Sequence, residues 1–453
     1  MSNSGSMRRL AGVFSVAAML AGTTAVAAPD LTTVYLKALE NNPNYQAAQA
    51  EYRYDLEARP QALAKLLPQI GAKADGNLAK STDKGVLQLG DLGDYNIDRT
   101  DSYKSPSYAV QLTQAVFRPA YFLGLSQADL QMTAAQLALD DARAGLMVSV
   151  AQAYFKVLAG QDDVRFTAAE RDSFKQQLDQ SEGRHQSGLI SDADYESVKA
   201  EYQLSIASAI QAEGELQIDL TQLAAVAGET YTELKPLSED VVLSPPQPDS
   251  VTPWVGQAVD QNLQVLVQDI TAKVARLDYD KARAARLPTV DLIGTYSYQH
   301  PTGGAPLGPR EQVDQMIGLE IKAPIYTGGQ ISSAIRAAME NWNKAKAQAD
   351  AARNTAVKDV RSAFFGASTG LSQIAALKQA LESTRAAEDA AKVGFDVGTK
   401  TAADLMKATD NRYKAERNYA AARYDYLINT LLLKQAVGSL STTDLELINH
   451  WLK

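Results

Sequence analysis

The chain is written twice. The stretch "HQSGLISDADYESVKA" (185–200) realigns with "FDVGTKTAADLMKATD" (395–410), so that Gly188 meets Gly398, Ala193 meets Ala403 and Asp194 meets Asp404. The same offset of 210 residues pairs Val150 with Val360, Ala153 with Ala363, Tyr154 with Phe364, Phe155 with Phe365, Leu223 with Leu433 and Gly228 with Gly438. Upstream, "LPQI" (67–70) returns as "LPTV" (287–290) at an offset of 220, which puts the slip in the loops between. Repetition restricts the fold, because whatever one unit builds must be built again and must pack against its copy. The units run over 29–243 and 254–453, joined by the Pro-rich "SPPQPDSVTP" (244–253).

Each unit has the same order. A helical stretch (31–64, 254–285) is followed by two alternating segments and then by two long helices around a glycine turn (119–228, 330–438). The strands are expected at about 67–80 and 106–117, and again at 287–300 and 315–326. In "VDLIGTYSYQ", Val290, Leu292, Gly294, Tyr296 and Tyr298 share one face, and Asp291, Thr295, Ser297 and Gln299 the other. Ile317, Leu319, Ile321, Ala323 and Ile325 alternate in the same way with Gly318, Glu320 and Lys322. Segments of about ten residues, apolar on one side, suit a transmembrane barrel strand, although a half-buried soluble sheet gives the same alternation.

The helices weigh toward the barrel. No proline follows Pro119 until well past Gln186, which allows a rod on the order of 100 Å. Leu123, Leu130, Leu137, Ala144, Ala151 and Leu158 recur at heptad spacing, and the small residues among them let helices approach closely. Such a chain lacks a compact core of its own and needs neighbouring copies. Four strands also cannot close a barrel, and an open edge in lipid leaves backbone groups unpaired. Three copies would supply twelve strands.

The N-terminus reads as an export signal over 1–28. Arg8 and Arg9 precede the apolar "LAGVFSVAAMLAG", and Ala25-Val26-Ala27 gives an A-x-A cleavage site. The run is short and Ala-rich for an uncleaved membrane anchor, which is the alternative. There is no Cys, and 53 acidic residues against 44 basic ones argue against a nucleic-acid partner.

Two chemical motifs almost match. "GFDVGTKT" (394–401) departs from a phosphate loop only at Thr399, but it follows a helical pattern rather than a strand, and its repeat copy lacks the Lys-Ser/Thr. "GASTG" (366–370) fits G-x-S-x-G, yet it falls inside a predicted rod. No catalytic, cofactor-binding or metal-binding set is read from the chain, and it is not expected to be an enzyme. "SDAD" (191–194) and "TAAD" (401–404) read as capping boxes in which Ser191 and Thr401 cap the returning helices and Asp194 and Asp404 sit at the third helical position.

The export signal, the duplicated unit, "VGTKTAADL" and the ending "ARYDYLINTLLLKQAVGSLSTTDL" together resemble the TolC family of outer-membrane channel proteins, over essentially the whole mature chain. The absent Cys and the C-terminal helix place it nearest the non-lipidated type I secretion branch. The resemblance implies a mainly α protein with a small β part. Coiled-coil helical hairpins and β-hairpins would build a homotrimer, a twelve-strand outer-membrane barrel continued by an α-helical tunnel through the periplasm. It also implies a role in type I secretion or multidrug efflux, with a periplasmic membrane-fusion adaptor and an inner-membrane ABC or RND-type transporter as partners.

Carried over residue by residue, the family's periplasmic latch falls on Asp194, Phe395 and Lys400. Its acidic entrance ring falls on Asp404, and the adaptor-contact turns on Gly188, Leu189, Ile190, Val397, Gly398 and Thr399. The chain departs from the family twice. Phe395 lacks the hydroxyl of the usual Tyr, and Lys407 stands where the family has a second acid. The competing reading, from another class, is a soluble periplasmic coiled-coil or adhesin-like structural protein with no inserted barrel.

Overall fold

A capping asparagine breaks each helical stretch, Asn42 in the first and Asn262 in the second. The computed structural model describes residues 28–88, 93–303 and 311–453. All of the expected export signal except Ala28 lies outside them. Helix α1 (Leu31–Asn41) starts at Asp30, whose carboxylate accepts the Thr33 amide at 2.9 Å. It stops at Asn42, which then caps α2 (Pro43–Leu56) by accepting the Tyr45 amide at 3.0 Å; α3 (Ala58–Ala64) follows. The expected single stretch over 31–64 is therefore three helices. The residue before a proline is pushed out of helical geometry, and Pro43 suits a first helical position.

Strand β1 (Gln69–Gln88) and strand β2 (Asp94–Phe117) form a hairpin that leads into α4 (Pro119–Gln186), and α5 (Asp192–Ala227) returns. The second unit repeats this with α6 (Val251–Gln261), α7 (Leu263–Ala284), β3 (Thr289–Gln299), β4 (Gln312–Lys322), α8 (Gln330–Asp396) and α9 (Ala402–Ala436). A short α10 (Thr442–Asn449) ends the chain. The rods fall where the heptads put them. Leu123, Leu130 and Leu137 are half-buried, whereas Ala144, Ala151 and Leu158 further along are buried.

The repeat is visible in one joint made twice. The Asn42 side-chain amide donates to Val226 O and that of Asn262 to Ala436 O, each at 2.8 Å. Next to these bonds lie Gly228 (φ +73°) and Gly438 (φ +75°), both in the left-handed region. A Cβ on Gly228 would lie 2.4 Å from Asn41 Cβ, and one on Gly438 would lie 2.3 Å from Gln261 O. Only glycine fits this close approach.

Contrary to the expectation that one chain lacks a core of its own, the main core lies within the single chain, at mid-height. Tyr35, Tyr154, Phe155, Leu158, Leu223, Leu427, Leu431 and Leu445 are buried there, where α1, α5 and α9 pack on α4 and α10 packs on α1. On the sheet side of this belt, α4 packs against α2, α3 and α7, and α7 packs against α8; on the tip side, α4 packs against α5 and α9, and α9 against α8. The result is a curtain four helices wide with two open edges.

The sheet has the same property. It is antiparallel in the order β1-β2-β3-β4, so β1 and β4 are free edges. Its register aligns Ile70, Leu112, Gly294 and Ile317 in one row and Ala74, Tyr108, Tyr298 and Val313 in another. From Asp101 to Val110, alternate residues are exposed and half-buried, and the exposed face is the one that carries Tyr108 and Val110. Ile317 is 77% exposed and Leu319 66%. A sheet built for water covers such a face, and this one displays it.

The strands differ most from the sequence expectation in two places. The first hairpin runs on through 81–88 and 94–105, to about 40 Å beyond the second. The extension is held by polar cross-strand pairs, including Thr82 with Thr100 at 3.0 Å and Lys84 with Asp98 at 3.4 Å, so it carries no apolar alternation to read. At the other end β4 stops at Lys322, and Ala323 and Ile325 lie outside it. Pro324 has no amide to offer the ladder.

Candidate functional site

The end of the curtain farthest from the sheet holds most of the residues that sequence reasoning singled out. Both turns there are Schellman closures. In the first, Gly188 N donates to His185 O and Leu189 N to Arg184 O, each at 2.9 Å. In the second, Gly398 N donates to Phe395 O at 3.2 Å and Thr399 N to Gly394 O at 2.8 Å. Gly188 (φ +69°) and Gly398 (φ +77°) supply the left-handed residue. The near phosphate loop is thus the last turn of α8, a helix stop and the start of α9. "GASTG" lies within α8.

Ser191 and Thr401 begin the returning helices. Ser191 Oγ accepts the Asp194 amide at 3.1 Å, and the Asp194 carboxylate takes the Ser191 hydroxyl at 2.8 Å. At the second turn the box is complete. Thr401 Oγ1 accepts the Asp404 amide at 3.1 Å, and the Asp404 carboxylate accepts the Thr401 amide at 3.0 Å. That amide bond, then the Thr401 hydroxyl and the Lys400 and Lys407 charges, hold Asp404 below the usual carboxylate range.

Asp194 and Lys400 are both exposed, and within one chain no ion pair joins them. The Lys400 side chain lies back over Gly394, where an added Cβ would come within 2.7 Å of Lys400 Cγ. Phe395 behaves differently. It is 2% exposed, in a small core with Phe174, Val198, Ala391, Ala402, Leu405 and Met406 that draws on all four helices of the tip. Arg184 covers its ring at 4.0 Å, and the same guanidinium donates to Phe395 O at 3.2 Å. Arg184 therefore ties the two hairpins at Phe395.

The tie continues as a polar seam between α4 and α9. Gln177 Nε2 donates to Thr409 at 3.4 Å, the Ser173 and Tyr413 hydroxyls meet at 3.2 Å, Arg417 donates to Glu170 at 3.1 Å, and Tyr424 donates to Asp162 at 2.8 Å. Burial pushes the Glu170 carboxyl up, and Arg417 only partly opposes it. Sequence reasoning missed Arg184 and Glu170. Their only local signal is a basic residue in the last turn of α4 and an acid on a buried stripe.

The turns named as adaptor contacts are exposed. Leu189 is 73% exposed, and Val397, Gly398 and Thr399 also face solvent, as does Gly188, while Ile190 is half-exposed. Asp404 and Lys407 are exposed on the first turns of α9.

A family model described as "Outer membrane efflux protein" matches residues 34–229 and 254–439, both units. The chain belongs to the outer membrane efflux protein family. It is 30% identical to "Outer membrane protein TolC" of Vibrio cholerae over 99% of each chain. It is 26% identical to "Alkaline protease secretion protein AprF" of Pseudomonas aeruginosa, covering 91% of this chain and 85% of that one. The fold is shared with the CmeC outer membrane channel of Campylobacter jejuni at a TM-score of 0.77 and 16% identity, over 93% of this chain and 90% of that one. Family membership places the protein in the outer membrane and sets aside the soluble adhesin-like reading.

Proposed function

We propose that three copies assemble into one export duct, the exit channel of a tripartite type I secretion or multidrug efflux system. The observation that carries this is the unfinished state of a single chain. Its four-stranded sheet has two open edges and an exposed apolar face, and its helical curtain has two open edges as well. Closing three sheets edge to edge gives twelve strands, removes every edge and turns the apolar face to lipid. The same three-fold operation closes the curtain into a tunnel. Leu204, Ile210 and Ile218, exposed on α5, would be covered there by the neighbour's α8.

The tunnel runs into the periplasm, and the long β1–β2 hairpin projects to the cell exterior. At the far tip the turns Gly188–Ile190 and Val397–Thr399 receive a periplasmic membrane-fusion adaptor, which links the duct to an ABC or RND-type transporter of the inner membrane. Asp194 and Lys400 meet between adjacent subunits and hold the tip closed, with Arg184 and Phe395 holding it within each subunit. Asp404 forms a three-fold acidic ring, and Lys407 tempers its charge. The duct is passive and uses no catalytic group or cofactor.

An exposed pair is worth about 0–1 kcal/mol, but three symmetry copies act together, and about 1.4 kcal/mol shifts a closed–open ratio tenfold. Asp194→Ala and Lys400→Ala are expected to raise single-channel conductance in planar bilayers, and high salt should imitate part of the effect. Wild-type conductance in both variants would remove these residues from the gate and leave Asp194 as a helix cap.

A further inference from the structure

The face that meets lipid changes character over a single row. On the exposed side of the first hairpin, Tyr108 stacks on Tyr298 with centroids 4.8 Å apart, and Tyr296 lies beside them at 6.4 Å. Two rows further out Leu78 is paired with Lys104, then Lys80 with Ser102, Thr82 with Thr100, and Lys84 with Asp98. Register puts all of these on the side of Tyr108 and Val110. Leu78 is 84% exposed and is the last apolar residue before the lysines.

Lys80 and Lys104 are diagonal cross-strand neighbours, roughly 7 Å apart at Cβ by strand geometry. Both are exposed. Among the described residues neither has an acidic partner. Lys84 is paired with Asp98, Asp101 with Arg99 on the opposite face, and Glu311 with the Tyr298 hydroxyl and His300. Two like charges side by side on a strand repel, so an anion lying against both is favoured there. The Lys104 backbone is also fixed, since its N–H and C=O bond Thr302 Oγ1 and Thr302 N at 3.0 and 2.8 Å.

We propose that Lys80 and Lys104 form a docking face for the phosphate groups of the outer-leaflet lipid, immediately above the aromatic row of the barrel. Three chains would present six such lysines around the rim. The charge suits phosphate, and the site continues the apolar band directly, so lipid that covers the band brings its headgroups to this level. Lys84 is mostly satisfied by Asp98 and contributes less. This inference rests on the inserted-barrel reading.

The test uses the full protein in phosphatidylcholine vesicles titrated with a fluorescent phosphatidic acid. Apparent lipid affinity should fall about fivefold for each of Lys80→Gln and Lys104→Gln, and by less for Lys84→Gln. Resistance to carbonate extraction in pure phosphatidylcholine should be the same for all, which shows that the variants fold and insert. Unchanged affinity in the double variant would overturn the proposal. So would displacement of the labelled lipid by millimolar inorganic phosphate, which would assign the lysines to a soluble anion. Extraction of the wild type by carbonate would instead strike the barrel reading.

Discussion

Arg184 shows how much a single contact can depend on register. It meets Phe395 across a gap of 211 residues, with its guanidinium on the ring and its hydrogen bond on the carbonyl. Removing it should cost about 1 kcal/mol per subunit from the ring contact. Arg184→Ala is therefore expected to raise the open fraction of single channels, and Arg184→Lys, which keeps the charge but not the plane, to restore part of it. A second residue-scale prediction concerns pH. Burial raises the Glu170 carboxyl, so its contribution to the seam is complete below the ordinary glutamate range and is lost as pH rises through the raised value. Amide protection along α4 and α9, taken relative to the intrinsic exchange rate at each pH, should fall over that interval, and Glu170→Gln should abolish that fall; protection that rises with pH would contradict it. Asp404 has the opposite sign. Its carboxyl is depressed, so capping is present above the usual carboxylate range and is lost only as pH falls through the depressed value, where the start of α9 should fray. The cap at Ser191 and the capping box at Thr401 were legible in the sequence because the groups that bond lie three residues apart. Arg184–Phe395 and Glu170–Arg417 were not, since their partners are set by how two distant hairpins slide past each other.

Elements were more legible than contacts. The rods over Pro119–Gln186 and Gln330–Asp396 follow from heptad spacing and the absence of proline, and the sheet faces follow from alternation in "VDLIGTYSYQ". The register bears out the faces, since Leu292 pairs with Leu319 and Asp291 with Glu320. Asp291, on the polar face, is nevertheless not a free carboxylate, because Arg118 binds both of its oxygens where β2 passes into α4. The outer half of the first hairpin was illegible because charged cross-strand pairs hold it. Leu319→Arg should cost about 2–4 kcal/mol of folding stability in vesicles if it lies at mid-membrane, and Glu320→Arg far less. Equal tolerance would mean that no lipid face exists. The joint made within each unit gives a further expectation. Gly398→Ala meets only the left-handed backbone penalty, about 1–2 kcal/mol, because nothing lies within 4 Å of its Cβ. Gly438→Ala has the same penalty and also meets Gln261 O, so its thermal midpoint should fall further.

At the scale of the whole molecule, the duplicated sequence explains why one chain is an incomplete object. Two copies of a unit give four strands and a curtain four helices wide, and neither closes on itself. Duplication also accounts for the matched tips, with paired Schellman turns and serine or threonine caps at equivalent positions. The two tips then diverged, to His185 stacked on Tyr195 in one and Lys400 over Gly394 in the other. The most direct test of the shared duct is the native mass of the purified protein in mild detergent, taken together with pore formation by the same fraction. Three closed sheets require a stable, monodisperse species of three chains that conducts in bilayers. A folded, monodisperse monomer that conducts equally well would contradict it.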